Sequence, residues 1–92
     1  MIHTPARSRW GIEGMKLKCT DISLGPTPYE AVVTIGTIDG GSEQLVVDRS
    51  LVGDGSLDVA PVHRNNGHVL VELPRESATG RWRVWIDSPN GD

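Results

Sequence analysis

The sequence predicts one small antiparallel β-domain, and three observations carry that expectation. Eleven glycines and six prolines cut the chain into runs too short for most helices. Within those runs apolar residues alternate with polar ones, the period of a half-buried strand. No amphipathic stretch of ten or more residues has helical spacing. About six hairpin-connected strands with no substantial helix imply a barrel or a sandwich.

The first predicted strand covers residues 15–24. Met15, Leu17 and Cys19 alternate with Lys16, Lys18 and Thr20, after which the apolar phase moves to Ile22 and Leu24. A change of phase inside one run predicts a bulge or bend near Thr20-Asp21. Gly25-Pro26-Thr27-Pro28 then stops the strand.

Residues 29–38 and 43–52 form a predicted hairpin around Asp39-Gly40-Gly41. A two-residue turn would mix polar and apolar side chains on each face. A three-residue loop instead pairs Ile35 with Leu45, Val33 with Val47 and Tyr29 with Leu51, with a glycine in the left-handed position. Gly53-Asp54-Gly55 predicts the next turn.

A second hairpin joins residues 57–64 to 68–73 through Asn66-Gly67, the residue pair of a type I′ turn. Its register pairs Ala60 with Leu73, Val62 with Val71 and Arg64 with Val69. His63, His68, Leu70 and Glu72 fall on the other face. Pro74 to Gly80 has room for a single turn ending at the glycine. The last predicted strand, residues 81–87, puts Trp82, Val84 and Ile86 toward the core and Arg81, Arg83, Trp85 and Asp87 outward. Residues 1–14 are expected to be a partly ordered arm, 15–88 the single domain and 89–92 a polar tail.

Ninety-two residues suffice for one domain of thin stability margin. Nine Lys+Arg against twelve Asp+Glu give a formal charge of −3, so the chain as a whole has no electrostatic pull toward nucleic acid or an anionic membrane. Cys19 is the sole cysteine, which excludes an internal disulfide and points to a cytoplasmic setting. Neither a signal-peptide pattern nor a run of about 20 apolar residues is present, so no membrane association is expected.

The strongest candidate site is the outward face of the last strand. Trp85 between Arg81 and Arg83 has the residue types that dominate protein–protein hot spots and that stack on unpaired bases. The competing reading is that the guanidinium groups cover the indole within the fold. Arg75 extends this cationic character, and Arg7, Arg9 and Trp10 supply a similar mixture in the N-terminal arm. His63 and His68 lie diagonally across the predicted turn, yet two imidazoles fall short of the three or four ligands zinc takes. Asp54-Gly55-Ser56-Leu57-Asp58 has oxygens at alternate positions, but Val59 stands where a calcium loop needs glycine and Asn65 where it needs glutamate. No nucleophile elbow, P-loop or dinucleotide fingerprint occurs, so neither a catalytic residue nor a cofactor or metal is predicted.

Asp21-Ile22-Ser23-Leu24-Gly25, preceded by Arg7 and Arg9, resembles the two elements of PilZ domains, an Arg-x-x-x-Arg arm and an Asp/Asn-x-Ser-x-x-Gly on a small β-barrel. Here the arginines are spaced Arg-x-Arg and the second element is one residue short of its glycine. The resemblance spans about twenty residues and implies a barrel that binds cyclic di-GMP. Three classes follow from the whole sequence. The leading one is a non-enzymatic module that binds another protein, or itself as a homodimer, through the face or edge of the last strand. The others are a nucleic-acid-binding barrel that uses Trp85, which the net charge disfavours, and a sensor of a cyclic dinucleotide or metal.

Overall fold

The computed structural model describes residues 14–87. In chain order the strands are β1 (Met15–Lys18), β2 (Asp21–Leu24), β3 (Glu30–Gly36), β4 (Ser42–Asp48), β5 (Val52–Gly53), β6 (Ser56–Asn65), β7 (His68–Glu72) and β8 (Arg83–Asp87). One 3₁₀ turn, Arg49–Leu51, interrupts them. Two antiparallel sheets result, β1-β6-β7-β8 with β5 also on β6, and β2-β3-β4, and they do not close into a barrel. The barrel implied by the PilZ resemblance therefore does not form. Among the described residues no helix is long and apolar enough to cross a membrane.

The bend predicted at Thr20-Asp21 is where the chain changes sheets. Cys19 N–H donates to the Gly55 carbonyl at 2.9 Å, beside the first sheet, and Thr20 N–H donates to the Thr34 carbonyl at 2.8 Å, in the second. One strand-forming run is thereby shared by both layers. The inner faces meet in a single core that includes Leu17 from β1, Val33, Ile35, Leu45 and Val47 from the smaller sheet, and Leu57, Val59, Val69, Val71, Val84 and Ile86 from the larger. These are the alternate positions of each strand, as the period-2 pattern requires.

Two hairpins differ from expectation in register. Val33 pairs with Leu45 and Ile35 with Glu43, a shift of two residues from the three-residue loop. The loop spans residues 37–41 because Asp39 organises it. Its carboxylate accepts from the Thr37 hydroxyl and from Gly41 N–H (3.0 Å), while Gly40 sits at φ 81°. A two-residue slip keeps every side chain on its face, so the core positions survive. Tyr29 and Leu51, expected as a pair, lie outside the ladder.

In the β6–β7 hairpin Asn66 (φ 50°) and Gly67 (φ 82°) make the primed turn, and Arg64 pairs with Val69 as expected. The register then shifts between Pro61 and His63, leaving Val62 unpaired and 42% exposed. Pro61 has no N–H for the ladder, and a bulge beside it resolves that deficit. The last strand begins at Arg83 rather than Arg81, and Trp82, expected in the core, is 53% exposed. Residues 77–80 form a turn ending at Gly80, with Gly80 N–H donating to the Ser77 carbonyl at 2.9 Å.

Candidate interaction surfaces

β7 and β8 place the singled-out aromatic and arginines. In register, Trp85 lies opposite Leu70, which lies opposite His63, so the three form one row across the outer face. The indole is half-buried and meets His63 edge-on, with ring centroids 6.0 Å apart at 81°. The arginines turn to carboxylates: Arg83 Nη2 and Nε are both 3.1 Å from Glu72 Oε1, and Arg81 Nε is 3.5 Å from Glu43 Oε2. His68 faces Asp87 at 3.6 Å, and Arg75 faces Glu30 at 3.6 Å. His63 and His68 do not share a site. Among the described residues no three His, Cys, Asp or Glu side chains cluster to hold a metal ion. Arg7, Arg9 and Trp10 lie outside the described residues.

Arg81 and Trp85 meet again at a shallow hollow of about 310 Å³ where the loop after β3 reaches β8, lined also by Thr37, Ile38, Asp39 and Glu43. Ile38 N–H donates to the Trp85 carbonyl at 3.1 Å, so part of the outer edge of β8 is already taken. Glu43 is the one carboxylate on the inner side of the smaller sheet and is 8% exposed. Thr79 Oγ1 donates to it at 2.6 Å, and this bond, with Ser77 beside it, holds its carboxyl below the usual range. The Thr37 hydroxyl and Gly41 N–H do the same for the exposed Asp39. Cys19 is half-buried, and burial pushes its thiol up.

The second surface is the open side of β2. Among the described residues β2 has β3 on one side and no strand on the other. Gly25 N–H donates to the Glu30 carbonyl at 3.2 Å, so the alternation of an antiparallel ladder turns the backbone groups of Asp21 and Ser23 to β3 and those of Ile22 and Leu24 outward. Ile22 and Leu24 stand opposite the core residues Val33 and Ala31, hence on the inner face. They overhang the other sheet and stay exposed, Leu24 at 81%, with Tyr29 in the following turn at 77%. Gly25 permits the tight exit of the strand: a Cβ there would lie 2.6 Å from the Glu30 carbonyl carbon and oxygen.

Sequence reasoning placed Ile22 and Leu24 on an apolar face but not at an uncovered edge, and it passed over Glu43. The signals were present. Glu43 has the parity of Leu45 and Val47, and the change of phase at Thr20 marks the crossing that leaves β2 at the margin of its sheet. No family model, curated protein or solved structure matches this chain.

Proposed function

We propose that this domain is a non-enzymatic interaction module that binds a partner protein sterically, with β2 as the contact strand. The observation that carries the reading is a strand edge with no partner strand among the described residues, beside the exposed Ile22, Leu24 and Tyr29. Strand addition uses such an edge, with backbone hydrogen bonds for affinity and alternate side chains for selectivity. Natural edge strands are commonly guarded by charges, proline, a bulge or shortness. β2 is short, with Asp21 at its start and Pro26 beyond its end, but its Ile22-Ser23-Leu24 stretch itself has neither charge nor proline.

The outer face of β8 is a second docking surface, favoured by the hollow that gathers Arg81 and Trp85. The carboxylates facing Arg81 and Arg83 reduce its positive potential, which favours a protein over a nucleic acid there. Affinity capture with the wild type, Leu24→Lys and Trp85→Ala separates the surfaces. Partners lost only with Leu24→Lys support β2, and partners lost only with a folded Trp85→Ala support β8. Capture unchanged in both variants sinks the proposal.

A further inference from the structure

We infer that the partner accepted by β2 is a second copy of the same strand, paired antiparallel about a two-fold axis at Ser23. The inference rests on β2 being a contact strand and adds its occupant and register.

The outward backbone groups belong to Ile22 and Leu24, so an added strand must form its hydrogen-bonded pairs there. Antiparallel pairing centred on Ser23 puts Ile22 opposite Leu24 of the second copy, and Leu24 opposite Ile22 of the second copy. Each pair exchanges its N–H···O bonds, and the two small sheets become one. The same register pairs the exposed apolar side chains across the join on the inner face, where the overhang leaves them uncovered. A contact of this kind is isologous, as a two-fold dimer requires.

Charge permits this register despite the net charge of −3. Asp21 falls opposite the neutral Gly25 of the second copy. The two Asp21 residues sit about 13 Å apart along the strands, beyond the screening length of about 10 Å at 0.1 M salt. No like charges face each other in the paired segment. Ser23 occupies the axis with its own backbone groups turned to β3, so pairing leaves the existing ladder intact. The contact is smaller than the roughly 800 Å² per partner of a standard interface, so association is weak and appears as a concentration series.

Sedimentation equilibrium on the full chain, from about 10 µM to about 1 mM, tests it together with a cross-link. The wild type should pass from monomer to dimer across this range, while Leu24→Lys should remain monomeric. At a non-hydrogen-bonded pair the Cα atoms lie about 4.5 Å apart, within disulfide reach. Ser23→Cys in a Cys19→Ser background should therefore form a covalent dimer on mild oxidation, and Asp21→Cys should not. A wild type monomeric to 1 mM overturns the second copy as occupant. It leaves β2 as a contact strand if Leu24→Lys still abolishes capture of another protein. A dimer that persists in Leu24→Lys, or that Asp21→Cys cross-links as well as Ser23→Cys, overturns the inference.

Discussion

Replacing Glu43 by alanine removes the one buried carboxylate among the described residues, and its contacts set the consequence. Thr79 Oγ1 donates to Glu43 at 2.6 Å, a hydrogen bond to a charged acceptor worth roughly 1.5–3 kcal/mol. The Arg81 side chain is 64% exposed, so its pairing adds under about 1 kcal/mol. Ser77 lies 3.3 Å from Thr79 and keeps that hydroxyl partnered after the change, which limits the penalty. Glu43→Ala is therefore expected to lose about 2–3 kcal/mol, and Glu43→Gln, which keeps an acceptor but not the charge, about 1 kcal/mol. For a domain of this size that loss lowers Tm by roughly 10–20 °C in the alanine variant.

Its acid dependence has a definite sign. The folded carboxyl titrates below its unfolded value, so its contribution is complete above the usual glutamate pKa of about 4.3 and disappears as pH falls through the lower folded value. Asp39 is lowered too and acts in the same direction, so the informative quantity is the difference in slope between wild type and Glu43→Gln. Urea unfolding followed by tryptophan fluorescence at pH 7 and stepwise to pH 3 measures both. A Glu43→Ala variant within about 0.5 kcal/mol of wild type at pH 7, or identical acid slopes for wild type and Glu43→Gln, refutes the reasoning.

Gly25→Ala forces a Cβ against the Glu30 carbonyl and should cost about 1–3 kcal/mol, with amide exchange faster first in β2 and early β3. Hydrogen exchange unchanged in those strands counts against the close approach. Gly67→Ala puts a side chain at φ 82° and should cost about 1 kcal/mol by chemical denaturation, whereas Asn66→Gly should be nearly neutral. Equal losses in both would mean that the turn is not of the primed type.

Much of the fold was legible because its signals are local. Alternation named the core faces, Asn66-Gly67 named its turn, and the change of phase at Thr20-Asp21 located the bend. What was misjudged depends on distant or competing interactions. The register after Ile35 depends on how the Asp39 carboxylate folds its own loop, a preference that face matching does not weigh. The shift near Val62 follows from the missing N–H of Pro61 in a strand whose side-chain pattern continues without interruption. Trp82 kept the parity of Val84 and Ile86, and its carbonyl still accepts from Leu73 N–H at 2.8 Å, but the ladder ends there, because the next carbonyl, that of Arg81, accepts from Ser77 N–H in the neighbouring turn. The candidate sites were harder still. Residue type singled out Arg81, Arg83 and Trp85, but only the folded arrangement, the register for Glu72 and His63 and the packing of the two sheets for Glu43, brings their partners beside them. The exposure of Leu24 depends on where the other layer ends, which no local pattern records.

The handover at Cys19 and Thr20 also governs how the molecule can come into being. β1 completes its ladder only with β6, Met15 finding Val59, while the adjoining β2 is bound to β3 nearby in sequence. The smaller sheet can therefore assemble while the chain is still being made, but its first residues stay tethered to a strand whose partner has yet to emerge. One cut does not separate the layers, because the chain passes from the larger sheet to the smaller at residues 19–20 and back again between β4 and β5. A break engineered at residues 19–20 would free β1 from the other strands and strip the larger sheet of its partner on that side of β6.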